Sequence, residues 1–282
     1  MTTKTPTESK IPAESSIKVS PFQRLKDKIG KLILYPFYTI YKRYLWRQIA
    51  NFQKPKHVGI ILDGNRRFSR AHGLEIWAGH ELGAKKVEEV LGYCWELGIR
   101  IVTLYVFSIE NFNRPKDEVD HIMTLAREKF TELLTNPLIY KYKVHVKAIG
   151  RMELLPEDVK EAIRKVEDAT KEFHDYYLNI AIAYGGRAEI IDAIRSILKD
   201  PSIKSVDDIT EETFEKYLYT AGLPHPDLII RTSGEVRISG FLLWQSAYSE
   251  LYFCDLYWPE MRKIDLWRAI RDYQRRHRRF GR

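Results

Sequence analysis

The residues best suited to chemistry begin with an aspartate, Asp63, at the predicted end of the first strand. Gly64 and Asn65 follow where the chain should turn, and Arg66 and Arg67 then open a helix. A carboxylate can hold Mg²⁺, N–H groups at a helix start attract anions, and an arginine can donate paired hydrogen bonds to a phosphate. The segment therefore predicts a site for a metal ion and a phosphorylated ligand. An Asp-Gly turn with solvated arginines is the structural alternative.

A second group of polar side chains follows the predicted second strand. A hydroxyl, a carboxylate, an amide, aromatic rings and an arginine lie between Phe107 and Pro115. The polar groups could hold a diphosphate while the rings face a hydrocarbon chain. As an ordinary loop, the stretch from Ser108 to Asn111 could instead cap the helix predicted to begin near Asp117.

A third group follows the fifth predicted strand. Two arginines and two serines surround a glycine in the stretch from Arg231 to Gly240, a composition that suits a second anion. Glu235, Gln245 and Glu250 follow as further acceptors or metal ligands. This spacing is hard to explain as a structural loop alone.

Taken together, the three groups predict two anion sites and one metal-binding carboxylate beside many apolar residues. Two diphosphates and a hydrocarbon product would satisfy this arrangement. The chain has no G-x-x-x-x-G-K-[ST] phosphate loop, and the Gly-Gly-Arg at 185–187 lacks the dinucleotide spacing, so nucleotide chemistry is not favoured. We interpret His57 as a strand-edge residue, whereas His80, at a predicted helix start, could donate to a phosphate.

The elements that must position these groups alternate along the chain. Near-continuous apolar runs separated by helix-length segments predict an α/β fold with a central, mainly parallel six-stranded sheet flanked by helices. The predicted strands are His57–Leu62, Ile101–Phe107, Val144–Ile149, Leu178–Ala183, Leu228–Arg231 and Glu250–Phe253. The predicted helices are Gly79–Leu97, Asp117–Leu134, Pro156–Tyr176, Ala188–Leu198, Thr210–Leu218 and Ile264–Arg275. Ligands of such sheets bind outside the carboxyl ends of the strands, where the three groups should meet.

Composition excludes several classes of protein. With 282 residues and 44% hydrophobic residues, the chain can bury a full core. Two cysteines, Cys94 and Cys254, provide neither a disulfide framework nor a zinc ligand set, which indicates a reducing compartment and disfavours secretion. The net charge of +8 is local, because residues 1–56 carry twelve basic and three acidic side chains.

The amino-terminal part differs from the rest of the chain. Residues 1–20 have no apolar period and are predicted to be a flexible tail. Residues 21–54 predict a basic amphipathic helix, or two joined at Pro36. Its longest uncharged run, Leu32–Tyr41, has ten residues and is too short to cross a bilayer. We expect a cytoplasmic protein with this helix on a membrane surface, or alternatively packed on the protein's own core.

These residues match a known family. Over residues 55–282 the chain resembles the cis-prenyltransferases, the undecaprenyl and dehydrodolichyl diphosphate synthases. The matching segments are H-V-G-I-I-L-D-G-N-R-R-F from His57, T-L-Y-V-F-S-I-E-N-F-N-R-P from Thr103, A-Y-G-G-R from Ala183, and D-L-I-I-R-T-S-G-E-V-R-I-S-G-F-L-L-W-Q from Asp227. The resemblance implies a fold with a hydrophobic tunnel and a Mg²⁺-dependent condensation of isopentenyl diphosphate, repeated with cis geometry, onto an allylic diphosphate such as farnesyl or geranylgeranyl diphosphate.

The resemblance also implies a role for individual residues. Asp63 would hold the metal and assist departure of the allylic diphosphate, Glu250 would be a second metal-linked carboxylate, and Asn111 would assist proton removal. An amide is a poor base, so we interpret Asn111 as positioning, with a diphosphate oxygen as acceptor. Substrate binding would involve Gly64, Asn65, Arg66, Arg67, Phe68 and His80 for the allylic diphosphate, Ser108, Ile109, Glu110, Phe112 and Arg114 beside Asn111, and Arg231, Arg237, Ile238 and Ser239 for isopentenyl diphosphate.

The hydrophobic tunnel and three departures from the family pattern complete the comparison. The apolar faces of helices 79–97 and 117–134 are candidate tunnel walls, so an aromatic residue at Leu91 or Leu125 should shorten the products.

Many bacterial members have glycine where Arg66 stands, and the Asn-Arg-Arg version is closer to archaeal and eukaryotic members. Ile76 replaces an arginine of many members, so no binding role is assigned to it. The basic extension is also longer than in typical bacterial members.

The end of the chain predicts a partner. Arg279-Phe280-Gly281 matches the family's terminal R-x-G, which completes the isopentenyl site of a neighbouring subunit, with Gly281 at that site. Because the aspartate motif and this tail are both present in one chain, the resemblance implies an active homodimer. A frayed basic tail is the structural alternative.

Three other functions fit the sequence less well. A trans-prenyltransferase needs two D-D-x-x-D motifs, and the nearest match, at 207–211, is better explained as a helix start with Thr210 as cap. A non-catalytic, membrane-associated partner subunit should lack Asp63 or the segment from Arg231 to Ser239, and both are intact. A nucleic-acid-binding protein would explain the basic termini but not the clustered sites, so no nucleic-acid partner is expected.

Overall fold

The structure is a computed structural model that describes residues 37–276. The chain divides into two compact units, Met1–Tyr44 and Leu45–Arg282. Helix α1 covers residues 37–49, and in the second unit Leu45 and Ile49 are fully buried. The predicted tail at 1–20, residues 21–36 of the predicted extension, and Arg279–Gly281 lie outside the described residues. No helix within 37–276 is long and apolar enough to cross a bilayer.

A six-stranded parallel sheet forms the centre of the second unit. Its strand order is β3-β4-β2-β1-β5-β6, and every neighbouring pair is parallel. The strands are β1 His57–Ile61, β2 Ile101–Ser108, β3 Val144–Ile149, β4 Tyr176–Tyr184, β5 Leu228–Arg231 and β6 Glu250–Phe253. Central strands covered by helices on both faces must be apolar throughout, and all five residues of β1 are buried. The predicted fold class is confirmed.

Helices connect the strands. They are α2 Asn65–Ala71, α3 Ile76–Glu96, α4 Lys116–Leu133, α5 Pro137–Lys141, α6 Glu157–Thr170, α7 Gly186–Ile197, α8 Glu211–Glu215 and α9 Lys263–Arg275. Short 3₁₀ segments occupy Ile109–Asn113, Met152–Leu154, Val206–Asp208 and Trp258–Glu260. Thr210 caps α8 as predicted, because its hydroxyl accepts a hydrogen bond from the N–H of Thr213 at 3.2 Å.

The predicted boundaries were wrong where tertiary contacts decide them. Helix α6 ends at Thr170, not at Tyr176, and the Thr170 hydroxyl accepts a hydrogen bond from the N–H of Val146 on β3 at 3.1 Å. Tyr176 instead begins β4, where it pairs with Val144. His57 is the first residue of β1, as predicted for a residue at the edge of a strand, and it lies buried on a central strand of the sheet.

Candidate active site

Two neighbouring strands bring a carboxylate and an arginine together. Arg231 is the last residue of β5, opposite Ile61 of β1, and Asp63 follows β1 by two residues. Because parallel strands end at the same edge, their side chains meet: Arg231 Nη2 donates to Asp63 Oδ2 at 2.7 Å. Gly64 makes the turn into α2 with a left-handed φ of 108°, a conformation that favours glycine. Arg67, one turn into α2, donates to Asp63 Oδ1 at 3.1 Å.

The Asp63 carboxyl group is held in its charged form. Burial alone would raise its pKa, but hydrogen bonds from Arg231 and Ser233 and the charges of Arg231 and Arg67 lower the pKa below its usual value. An ionised carboxylate is a suitable ligand for a divalent cation. The cation could bind Asp63 once diphosphates bind the two arginines that now contact it.

Alternating charges continue from Asp63 into the third predicted group. Arg67 Nη1 donates to Glu235 Oε1 at 2.9 Å, and Arg237 donates to the other oxygen of Glu235. Ser239 Oγ accepts from Arg231 Nη1 at 2.8 Å. The three arginines therefore outnumber the two carboxylates they contact, and this local excess of positive charge favours an anionic ligand.

A second cluster of charges surrounds Glu118, which the sequence did not single out. Its Oε1 accepts hydrogen bonds from His80 Nε2 at 3.2 Å and from Arg114 Nη1 at 3.1 Å, and Arg66 Nε lies 3.6 Å away. Burial lowers the pKa of His80 although Glu118 raises it, so the neutral imidazole donates from Nε2. Glu118 thus holds three predicted site residues in place. Its position four residues after Arg114 on α4 was the available sequence signal.

The stretch after β2 caps its own short helix. The N–H of Ser108 donates to Asn111 Oδ1 at 3.1 Å, which closes a capping box on the 3₁₀ segment Ile109–Asn113. The predicted alternative, a cap for α4, is wrong because Pro115 precedes that helix and no side chain caps it. With the amide oxygen of Asn111 engaged, its NH₂ group is the part that can donate to a ligand.

Two cavities meet at Asp63. The larger, of about 510 Å³, begins among charged residues and continues over apolar ones. The smaller, of about 380 Å³, has a larger share of polar surface and is called the polar cavity. Predicted residues lining the larger cavity are Asp63, Gly64, Asn65, Arg66, Arg67, His80 and Arg114. Predicted residues lining the smaller one are Asp63, Ser108, Glu110, Asn111, Arg114, Arg231 and Ser239. Phe68, Ile109, Phe112, Arg237 and Ile238 line neither cavity.

The sheet and two helices enclose the apolar part of the larger cavity. Alternate residues of β2 and β4 form its floor, because side chains two apart on a strand share a face: Leu104, Val106, Leu178, Ile180 and Ile182. Leu91 of α3 and Leu125 of α4 both line it, as the tunnel hypothesis expects. Helices α2 and α3 pack closely at the charged end, since a Cβ at Gly83 would lie 2.4 Å from Asn65 Oδ1.

Comparison with known proteins agrees with this geometry. Residues 61–281 match the model of a family described as putative undecaprenyl diphosphate synthase. A Methanopyrus kandleri protein named tritrans,polycis-undecaprenyl-diphosphate synthase (geranylgeranyl-diphosphate specific) is 55% identical over 262 residues, which cover 92% of this chain and 97% of its own. A Pyrococcus horikoshii protein of the same name is 51% identical over 261 residues, covering 92% and 99%. The chain belongs to the undecaprenyl diphosphate synthase family.

Solved structures of this family share the fold. Lavandulyl diphosphate synthase from Lavandula x intermedia, in complex with dimethylallyl diphosphate, superposes with a TM-score of 0.76 at 35% identity, covering 81% of this chain and 99% of its own. A probable undecaprenyl diphosphate synthase from Campylobacter jejuni gives 0.67 at 33% identity, covering 82% and 100%. The protein is therefore a cis-prenyltransferase, an enzyme that joins isopentenyl diphosphate to an allylic diphosphate, and the resemblance seen in the sequence is confirmed.

One predicted site residue of this family member lies elsewhere. Glu250 begins β6 opposite Leu228, at the amino end of the strands, where it accepts a hydrogen bond from Arg276 at 2.9 Å. Asp63 lies beyond the carboxyl ends. Within one chain, Asp63 and Glu250 therefore lie at opposite ends of the sheet, and the metal-linked role of Glu250 stays a prediction. Within the described residues, no group of three or more His, Cys, Asp or Glu side chains could hold a metal.

A buried carboxylate behind the site also escaped the sequence analysis. Glu189 of α7 accepts hydrogen bonds from Tyr184 Oη at 2.5 Å, from the N–H of Tyr219 at 2.9 Å and from Gln245 Nε2 at 3.0 Å. The same Tyr184 hydroxyl accepts from the N–H of Leu242, three residues after Ser239. Glu189 thus anchors the segment that carries Ser239 towards the polar cavity. Tyr219 and Gln245 lie 30 and 56 residues away in sequence, so no local pattern marks the whole group.

Proposed function

We propose that the protein extends geranylgeranyl diphosphate with isopentenyl diphosphate to a product of about undecaprenyl length. The observation that carries this proposal is the position of Asp63 between an apolar cavity with a cationic mouth and a polar cavity with its own arginine. The names of the archaeal relatives specify geranylgeranyl diphosphate as their substrate. The two cavities offer one place for a primer with a hydrocarbon tail and one for a small diphosphate.

The arginines would bind and orient the two diphosphates. The primer's diphosphate would replace Asp63 and Glu235 as the partner of Arg67, with Arg66 and the N-terminus of α2 beside it. Isopentenyl diphosphate would bind Arg231 and Ser239 in the polar cavity. The apolar floor would exclude water from the allylic carbon, where positive charge develops as its bond to oxygen breaks.

Mg²⁺ fits this site through Asp63 alone. Proteins usually bind Mg²⁺ with one or two carboxylates together with substrate phosphates, and Asp63 lines both cavities in its ionised form. Bound there, the metal would neutralise charge on the departing diphosphate. Asn111 would orient isopentenyl diphosphate through its NH₂ group, and a diphosphate oxygen would accept the proton, because an amide is too weak a base.

The homodimer and the membrane surface remain part of the proposal. The R-x-G tail would complete the isopentenyl site of a second copy, and light scattering that finds an active monomer would overturn this. A membrane role is proposed for residues 21–44, where Phe37 and Ile40 are exposed near Lys42 and Arg43. From Leu45 the helix instead has buried residues, as the alternative of packing on the core requires. Flotation on anionic liposomes of a Phe37→Asp, Ile40→Asp variant tests the membrane role, and unchanged binding would refute it.

The central test is a product assay. The purified protein is incubated with labelled isopentenyl diphosphate, Mg²⁺ and either farnesyl or geranylgeranyl diphosphate, beside Asp63→Ala, and products are resolved by chain length. Long products that form best from geranylgeranyl diphosphate and vanish in the variant are expected. No product from any primer would favour the non-catalytic partner subunit.

A further inference from the structure

The turn that carries Asp63 is held from behind by a segment that follows β6. This segment, residues 254–258, ends at Trp258, the first residue of a 3₁₀ segment. The Trp258 N–H donates to the carbonyl of Asp63 at 3.1 Å, and the Thr232 hydroxyl donates to the same oxygen at 2.6 Å. A carbonyl oxygen has two lone pairs, so these two bonds fix the orientation of the peptide group after Asp63.

The rest of this turn contacts the same segment. Gly64 packs against Tyr257, since a Cβ at Gly64 would lie 3.1 Å from the Tyr257 Cα. Asn65 is connected to the segment through α3. Its Oδ1 lies 2.4 Å from where a Cβ of Gly83 would be, and the carbonyl of Gly83 accepts a hydrogen bond from Trp258 Nε1 at 2.7 Å. Every residue of the turn therefore has a contact that leads back to the segment.

The 254–258 segment also holds the loop that follows β5. The N–H of Ser233 donates to the carbonyl of Leu256 at 2.7 Å, and the N–H of Gly234 donates to that of Cys254 at 2.9 Å. Ser233 has a left-handed φ of 82°, which residues with a side chain rarely adopt and which persists only when the surroundings hold it. Its hydroxyl accepts from Arg67 Nη2 at 2.7 Å. The segment thus fixes the start of the loop that would bind isopentenyl diphosphate.

The side chain of Trp258 anchors the segment in the core. It is the largest of the fully buried side chains within the described residues. It lies in the wall of the larger cavity but has no exposed surface, so it acts on a ligand through the residues that it contacts. Its bond to Gly83 joins the segment to α3, the helix that also carries His80.

We infer that Trp258 is a positioning residue that sets the distance between the two diphosphate sites. The primer's diphosphate would bind at residues 63–67 and isopentenyl diphosphate at Arg231, an assignment that rests on the proposed function. The 254–258 segment contacts the backbone on both sides, so a shift of Trp258 moves the turn and the loop relative to each other. Reacting carbons must approach to about 3–3.5 Å, and a misplacement of about 1 Å can lower the rate about 100-fold.

Removing the indole N–H tests the inference. The bond to Gly83 is lost in Trp258→Phe and in a protein with benzothienylalanine at position 258, which keeps the size of the indole. We expect the single-turnover rate of the first condensation to fall about ten-fold in both, while the KM for each substrate changes less than about three-fold. Trp267→Phe is the matched control, because Trp267 is buried in α9 and lines neither cavity. Its rate should stay within about two-fold of the wild type.

A second measurement is independent of the rate. Geranylgeranyl thiolodiphosphate, a primer analogue that reacts very slowly, should bind both proteins altered at position 258 within about three-fold of its affinity for the wild type. A loss of binding as large as the loss of rate would overturn the inference, because the primer site itself would then be damaged. An unchanged rate in the benzothienylalanine protein would also overturn it, even if Trp258→Phe failed to fold. No product from the wild type with any primer would instead overturn the proposed function, and the inference with it.

Discussion

The two ends of the sheet both contain hydrogen-bonded polar side chains, but with opposite character. At the amino end, His57 Nδ1 donates to the carbonyl of Pro224 at 2.7 Å, and Thr103 Oγ1 lies 2.8 Å from His57 Nε2 and 3.1 Å from Asn179 Nδ2. These groups are buried, and their partners are supplied by the protein. At the carboxyl end, Asp63 and its arginines are charged and border two cavities.

This difference in burial and charge distinguishes polar groups that stabilise the fold from polar groups that are available to bind a ligand. The amino-end network links β1, β2 and β4 at one level of the sheet, where it fixes their alignment. The carboxyl-end network consists of ion pairs with an excess of arginine, which a diphosphate can enter. Burial and charge together therefore distinguish the two ends better than either does alone.

The largest expected effect is a loss of activity that a substitution at the carboxyl end causes and one at the amino end does not. Asp63→Asn removes a charge beside the reacting groups, and we expect kcat/KM to fall about 1,000-fold, equivalent to about 4 kcal/mol, with unchanged circular dichroism. Thr103→Val is the matched change at the amino end. It should lower the melting temperature and leave kcat/KM at 25 °C within about three-fold. If the losses of activity were comparable, the distinction between the ends would be wrong.

At the amino end, His57 should make the free energy of unfolding depend on pH. Burial lowers the pKa of His57 from 6.5 to about 4. Below pH 6.5 the unfolded chain binds a proton that folded His57 does not, so stability is complete above pH 6.5 and falls as the pH approaches 4, by up to about 3 kcal/mol.

Urea unfolding of the wild type and of His57→Gln between pH 7 and 4 measures this effect. The glutamine can keep both hydrogen bonds but does not titrate. The difference in free energy of unfolding between the two proteins should therefore shrink as the pH falls. A constant difference would show that His57 has the same pKa in the folded and unfolded states, which contradicts this prediction.

Glu189 sharpens the comparison, because it is buried like the amino-end residues yet lies near the carboxyl end. Glu189→Gln points an NH₂ group at donors from Tyr184, Tyr219 or Gln245 and should loosen the segment that carries Ser239. We expect the KM for isopentenyl diphosphate to rise about ten-fold, with the primer KM and kcat nearly unchanged. Equal changes in both KM values would indicate general unfolding instead.

The smallest effect on rate concerns the cavity that runs between the two ends. Leu91→Trp and Leu125→Trp should shorten the products by filling space near the floor, while the rate of the first addition changes less than about three-fold. Leu82→Trp is the control, since Leu82 is exposed on α3 and does not line the cavity. Unchanged product length for both cavity variants would place the growing chain elsewhere.

Much of the fold follows from local sequence patterns. Buried parallel strands require continuous apolar runs, so all six strands could be located, and helix-length spacing between them required a parallel sheet. Boundaries were less accessible: α6 ends where Thr170 meets Val146, a contact between segments 24 residues apart that no local pattern encodes.

The site was predictable where a strand end carried several polar residues together. Asp63, Asn111 and Arg231 were found in this way. Glu118 and Glu189 were missed because each has only one near partner, Arg114 or Tyr184, while other partners such as His80 and Gln245 lie 38 and 56 residues away. Glu250 begins β6 and therefore lies at the amino end of the strands, away from Asp63, a position that the family motif alone did not indicate.

The strand order has a consequence for synthesis on the ribosome. The central strand β1 has β5 as one neighbour, and 168 residues separate Asp63 from Arg231. Translation proceeds at about 5–20 residues per second, so one edge of β1 stays unpaired for roughly ten to thirty seconds. An unpaired strand edge favours aggregation of nascent chains. We therefore expect slow translation to lower the yield of folded protein, and a bound chaperone to raise it. Both effects should be larger than for a protein whose central strands are adjacent in sequence.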